Sequence, residues 1–261
     1  MRRGIVLLLM VAGGALLIAG SPAGHLQRLF ACDIGDPIVE FIASWPRDQY
    51  LLVYFQDDDG TASKAAEPLR EALKRYGSRA NVKPVPSRVE SNSVEGSPAV
   101  LISPRGAVLA CFDEAPEAGE VSVLFESPGR TALVEALKEH DSVFLCLLDQ
   151  KSESGKQTLK VLKNALRLVR ELSELSTVVL VVDPSQPKEE YLVRNIRAQT
   201  RNPQSGDAQP VVALVCGSGR LADVTLGVPS EEQVIDRLQR IYREGGYTDP
   251  SRFGEDLLLV W

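Results

Sequence analysis

Residues 51–76, LLVYFQDDDGTASKAAEPLREALKRY, decide how the whole chain reads. The segment opens on an apolar run, Leu51 to Phe55, of the length and composition of a buried strand. A polar loop follows, with Asp57, Asp58 and Asp59 ahead of Gly60. From Thr61 to Tyr76 the apolar residues Ala65, Ala66, Leu69, Ala72 and Leu73 recur at helical spacing, with Pro68 in an early turn. Strand, loop and amphipathic helix in direct succession are the first unit of an α/β fold.

The same alternation runs on. NVKPVP (81–86) reads as a short edge strand, since proline removes ladder donors. PAVLIS and AVLACF flank PRG (104–106) as a β-hairpin. SPGRTALVEALKEH (127–140) has a serine cap and a proline at a helix start. A second round begins with SVFLCLL (142–148), then a helix over 154–175 with Leu159, Leu162, Leu166, Val169 and Leu172 on one side. TVVLVV is a strand, PKEEYLVRNIRAQ a helix, and PVVALVC with LADVTLG a second hairpin. SEEQVIDRLQRIYREGG opens on Ser230 as a cap and ends in glycines. The order strand, helix, strand, hairpin, helix therefore occurs twice, which predicts mixed sheets flanked by helices. A further helix is expected over 36–46. DLLLVW (256–261) is too apolar for a free tail and is expected to pack on the body.

The chain has 261 residues, enough for two units of about 100 residues each. Its net charge of −6 leaves no basic surplus for phosphates, so nucleic acid is not an expected partner. At the N-terminus Arg2 and Arg3 precede an apolar run from Gly4 to Gly20, then Ser21, Pro22 and Ala23. This is the pattern of an export signal cut before Gly24, or of an uncleaved anchor giving membrane attachment. A later cut before Cys32, within LFAC, is the lipoprotein-like variant. The expected location is periplasmic or secreted.

The pieces together resemble the thioredoxin fold superfamily. In that family a strand leads into W-A-x-W-C-G-P-C-K and a helix with an internal proline. Gln56 to Lys64 match those nine positions without a gap. Lys64 falls on the family lysine and Pro68 on the helix proline, while Gly60 and Ser63 hold the two cysteine positions. EGSPAVLISPRGAVLACF and DAQPVVALVCGSGRLADVTLG resemble the cis-proline strand and its hairpin, with Pro98 and Pro210 in the proline place. The loop of the second half, DQKSESGKQ (149–157), is also without cysteine. The opening and the closing FGEDLLLVW are similar to a group of secreted bacterial proteins with tandem thioredoxin-like repeats lacking CxxC, a likeness that brings no activity with it. The organisation implied is a leader over 1–24, thioredoxin-like units over 32–140 and 141–246, and a packed tail over 247–261.

Chemistry follows from what is missing. Disulfide exchange needs an attacking thiolate and a resolving thiol. Gly60 and Ser63 supply neither. Cys32, Cys111, Cys146 and Cys216 show no CxxC and no zinc-like spacing. The last three sit in apolar runs, where cysteine reads as a small buried hydrophobe. His25 and His140 are the only histidines, and neither is placed as the base of a Ser-His-Asp site. SGKQT (154–158) echoes a P-loop, but Gln150 and Gln157 break the motif. The chain is therefore expected not to be an enzyme and to hold no cofactor or metal. Two readings remain. One is a redox-inactive binding or scaffold protein of the cell envelope, taking a protein or extended peptide beside the prolines, with Gly60, Ser63, Ser97, Pro98, Gln209 and Pro210 as contact candidates. The other is an atypical thiol-disulfide protein using Cys32 or an inter-domain disulfide.

Overall fold

The computed structural model describes residues 48–56, 66–88, 99–112, 116–172, 176–200, 209–217, 219–242, 253–254 and 256–258. The leader, the helix expected over 36–46, Cys32, and the candidates Gly60, Ser63, Ser97 and Pro98 lie outside them.

The first half contains β1 (Tyr50–Gln56), α1 (Ala66–Tyr76), β2 (Val82–Arg88), β3 (Ala99–Ile102), β4 (Val108–Phe112) and α2 (Ala118–Phe125). The second contains α3 (Pro128–Glu139), β5 (Ser142–Leu147), α4 (Glu153–Leu172), β6 (Thr177–Val182), α5 (Glu190–Ala198), β7 (Val211–Cys216), β8 (Arg220–Leu226) and α6 (Glu231–Tyr242). The strands make two four-stranded sheets, ordered β2-β1-β3-β4 and β6-β5-β7-β8. In each sheet the first two strands are parallel and the hairpin is antiparallel. The two halves thus share one topology, that of a thioredoxin-like domain, as the alternation in the sequence predicts. α2 is not evident in the sequence, because VSVLF reads as β-forming. Its start is held by the Glu120 side chain, which accepts from the Glu117 N–H at 3.0 Å.

The sheets are covered differently. Phe144 and Cys146 on one face of β5, with Leu148 just past its end, pack under α4 and α6. Val143, Leu145 and Leu147 on the other face pack with Leu133 of α3 and Leu192 and Ile196 of α5. In the first sheet Tyr50, Leu52 and Tyr54 pack under α1 and α2, while Leu51 and Val53 are only half-buried. α3, which the sequence reading assigns to the first unit, lies against β5 and β6. Its N-terminus is capped by Ser127, whose Oγ accepts from Arg130 N, and by the buried Glu189 carboxylate, which accepts from Gly129 N at 2.7 Å.

The described residues of the C-terminal segment, 253–254 and 256–258, pack on the body. Leu257 and Leu258 are fully buried. The Asp256 backbone forms an isolated antiparallel β-bridge with that of Arg220. The N–H groups of Gly254 and Leu257 bond to the carbonyls of Leu221 and Gly219 in the second sheet. The carbonyls of the segment face the other way. Phe253 accepts from Arg105, Asp256 from the Tyr50 hydroxyl, Leu257 from Arg130 Nε at 3.3 Å, and Leu258 from Asn81 at 3.4 Å. Gly219 has φ +107°, and a Cβ there would come within 2.7 Å of the Leu258 side chain. Glycine is what admits the tail at this point. α5 adds a second link, since Asn195 donates to the Tyr50 hydroxyl at 2.7 Å and Arg194 to the Leu109 carbonyl at 2.6 Å. Arg220 also pairs with Asp48.

Candidate functional site

In a thioredoxin-like unit the reactive centre sits where the first strand feeds the first helix. The second half shows that junction. Tyr50 and Ser142 are equivalent, since each donates its N–H to the residue just ahead of the parallel neighbour strand, Asn81 or Ser176. Taking the buried leucine pairs Leu69/Leu73 of α1 and Leu162/Leu166 of α4 as the common register aligns the two helices in sequence. Counted back from them, Gly60 and Ser63 correspond to Glu153 and Lys156. The loop of the second half is one residue longer.

Glu153 and Lys156 are both exposed, on the first turn of α4. The turn ahead of them is closed by its own side chains. Asp149 Oδ1 accepts from Lys151 N at 2.8 Å. Ser152 Oγ donates to the Asp149 carbonyl at 2.7 Å and accepts from Gly155 N at 3.0 Å. Ser152 is thus the N-cap of α4. A Cβ on Gly155 would lie 2.0 Å from the Asp149 carbonyl oxygen, so only glycine fits inside this turn. An N-terminus that in an oxidoreductase would lower a thiol pKa here holds a serine hydroxyl already used on both sides.

The thiols lie elsewhere. Cys111, Cys146 and Cys216 are free. Cys146 and Cys216 are buried in the central strands β5 and β7. Burial pushes the Cys146 thiol up to about 12, and pushes Cys216 up to about 12 against a small opposing effect of Arg220. Neither carries a useful fraction of thiolate near neutral pH. Cys111 departs from expectation. It is exposed, because the edge strand β4 turns alternate positions outward and the bulge between Leu101 and Ile102 breaks the apolar pattern.

The proline segments also differ from expectation. Among the described residues no peptide bond is cis, so the Gln209–Pro210 bond is trans. Ala99 pairs with Tyr54, whereas Val211 pairs with Leu147 and Val212 with Cys146. Since Tyr54 is equivalent to Cys146, Ala99 is equivalent to Val212. Pro210 therefore lies one residue further out than the position ahead of Ala99. Pro210 is buried and its carbonyl accepts from Gly227 N at 2.8 Å, while Gln209 is exposed. Gln209 and Pro210 are adjacent on the surface loop entering β7, and they do not reproduce a paired cis-proline groove.

His140 caps the end of α3 and its Nδ1 bonds to Ser176 Oγ. Among the described residues no group of three or more His, Cys, Asp or Glu side chains is placed to hold a metal ion. Two open clefts flank the second sheet. One, of about 650 Å³, lies along β8 between Arg105, Gln199 and Arg240, where Asp223 pairs with Arg237 and Arg240. The other, of about 800 Å³, runs between α4 and β6 over Leu159, Leu166 and Val179. Neither cleft is evident in the sequence, which shows the basic residues of α4 only as the polar side of an amphipathic helix.

No family model matches the chain, and no curated protein matches it. Solved structures do. The chain is similar to the NTD_N/C domain of alkylhydroperoxide reductase AhpF from Enterococcus faecalis, at 12% identity over 77% of this chain and 95% of that one, with a TM-score of 0.25. It is also similar to the zinc-bound form of human ERp44, at 13% identity over 78% of this chain and 57% of that one, with a TM-score of 0.25. At these identities and TM-scores the likenesses carry no argument about this chain. The order and directions of the strands in both sheets carry the thioredoxin-like assignment.

Proposed function

We propose that this chain is a redox-inactive thioredoxin-like binding or scaffold protein of the cell envelope. One observation carries the reading. At the strand-to-helix junction of the second half the positions aligned with Gly60 and Ser63 are Glu153 and Lys156, and Ser152 closes the helix N-terminus. Cys146 and Cys216 cannot stand in, because their thiols are buried and protonated. The envelope location follows from the N-terminal pattern of Arg2, Arg3 and the apolar run to Gly20. The tail strap and α5 hold both halves together, which suits a protein that presents surfaces rather than one that cycles between redox states.

The test is insulin reduction and dithiol-peptide oxidation by the purified full chain. Both activities are expected to be absent. Robust turnover would overturn the proposal in favour of a thiol-disulfide protein acting through Cys32 or the exposed Cys111. A thiol count with and without reductant would then identify the cysteine involved.

A further inference from the structure

Each sheet ends in an edge strand that runs parallel to its neighbour, β2 in the first and β6 in the second. β2 is blunted. Its sequence is VKPVPSR, with Lys83, Pro84 and Pro86 exposed. These are the devices by which proteins keep other strands from pairing with an edge. β6 has none of them. Its sequence is TVVLVV, and Val178, Val179, Leu180 and Val181 are all half-exposed.

The direction of the backbone groups can be worked out. The Ser176 and Val182 carbonyls accept from Ser142 and Leu148 in the neighbouring strand. Along a strand the groups of successive residues point alternately to the two sides. Val179 and Val181 therefore turn their N–H and C=O outward, as does Thr177, whose carbonyl accepts from Arg170 at 3.2 Å. Among the described residues no strand pairs with this outer edge.

Beside the edge lies the cleft of about 800 Å³. Leu159, Leu166 and Val179 make its floor. Lys163, Arg167 and Arg170 form its rim at successive turns of α4, with Glu171 as the acidic residue among them. The arrangement combines an unpaired ladder, an apolar floor and a basic rim. A second copy of this chain paired across β6 would bring its own Lys163 and Arg167 against these, an unfavourable juxtaposition of like charge.

We infer that the outer edge of β6 receives an extended segment of a partner protein by β-augmentation, with aliphatic side chains over Leu159 and Leu166 and carboxylates at its flanks. This rests on the binding-protein reading and assigns it a surface. Main-chain bonds to Val179 and Val181 supply affinity, and the basic rim supplies the preference for acidic flanks.

The test uses the full chain and a fluorescent nonapeptide, Glu-Glu-Val-Thr-Val-Thr-Val-Glu-Glu, read by anisotropy. A control peptide carries lysine in place of every glutamate. The acidic peptide is expected to bind and the basic one to bind at least tenfold more weakly. Lys163→Glu with Arg167→Glu, both at exposed positions, is expected to weaken the acidic peptide at least tenfold and leave the circular dichroism spectrum unchanged. Hydrogen exchange at the amides of Val179 and Val181 is expected to slow when the acidic peptide is added. Equal binding of the two peptides would overturn the assignment, as would unchanged exchange at Val179 and Val181. Dimerisation through β6, seen by light scattering and lost in Val179→Lys, would also overturn it. Failure here with no insulin reduction leaves the redox-inactive reading standing, whereas insulin reduction sinks that reading whatever the peptides do.

Discussion

The two sheets have one topology and opposite relations to their surroundings. β5 and β7 are buried at every position, because helices cover both faces of the second sheet. Tyr50 to Tyr54 of β1 alternate between buried and half-buried, and β4 turns Val108 and Cys111 to solvent. The second sheet is thus covered on both faces by helices and open along the outer edge of β6. Among the described residues the first has its own helices α1 and α2 packed on one face, and α5 and the C-terminal strap add to its enclosure. Equal topology does not imply equal packing, and the difference predicts where substitutions hurt.

The largest contrast is expected between Phe144→Ala and Leu51→Ala. Phe144 is fully buried under α4 and α6, and its truncation should cost about 3–5 kcal/mol. Leu51 is half-buried on the less covered face, and its truncation should cost roughly 1 kcal/mol. Urea midpoints at constant m-value measure both. Equal losses would show that the first sheet is enclosed as fully as the second.

A second contrast concerns alkali. Cys146 and Cys216 both lie in the second sheet, with thiols raised from an ordinary value of 9.0 to about 12. The folded state therefore keeps protons that the unfolded chain releases above about pH 9. Their stabilisation is intact below pH 9 and is lost as pH rises toward about 12, at about 1.4 kcal/mol per pH unit for each thiol. Between pH 9 and pH 10 the midpoint of urea unfolding should fall, and Cys146→Ala with Cys216→Ala should remove much of that slope. An unchanged slope would mean that the two thiols are not buried as described. Native protein should react with a thiol reagent at Cys111 and spare the other two until denaturant is added.

Much of the architecture is legible in the sequence, and the reasons for the failures are physical. Alternating strands and helices, the two hairpins, the serine caps at Ser127 and Ser230 and the apolar tail are local signals, and the structure shows each of them. What the sequence does not carry is register. A strand ahead of a hairpin reads the same whether its proline sits at one position or the next, so the offset between Ala99 and Val211 emerges only from the ladder. Burial also depends on neighbours. YLLVYF and SVFLCL are both continuous apolar runs, yet the second is buried at every position while Leu51 and Val53 of the first are only half-buried. In the sequence TVVLVV reads simply as a strand, because nothing local tells an edge from a centre.

The tail strap offers a third comparison. The Tyr50 hydroxyl donates to the Asp256 carbonyl and accepts from Asn195, joining the first sheet to both the tail and α5. Tyr50→Phe keeps the ring and leaves those two partners without the hydroxyl in a buried site. The expected loss is about 1–3 kcal/mol. Limited proteolysis should then cut near the C-terminus sooner than in the parent chain. If cutting is unchanged, the Tyr50 hydroxyl is dispensable, and the strap is held by the buried Leu257 and Leu258 and by its remaining bonds to Gly219, Leu221, Arg105, Arg130 and Asn81.

The smallest effect tests the site itself. Ser152 caps α4 through Gly155 N, and Ser127 caps α3 through Arg130 N. Ser152→Ala removes one cap bond at a half-buried position and should cost about 1 kcal/mol. Ser127 is fully buried, so Ser127→Ala leaves the Arg130 N–H without a cap in a dry setting and should cost somewhat more, within about 2 kcal/mol. The site comparison is sharpened by Glu153→Cys with Lys156→Cys, which puts two thiols at the positions equivalent to Gly60 and Ser63. If the junction is the thioredoxin one, these thiols should form a local disulfide, visible as the loss of two titratable thiols on oxidation. The first of them should titrate below the ordinary cysteine value, because it lies on the first turn of α4. A pair that stays reduced under oxidising conditions would place the junction outside the thioredoxin geometry, even though the sheet order is that of the fold.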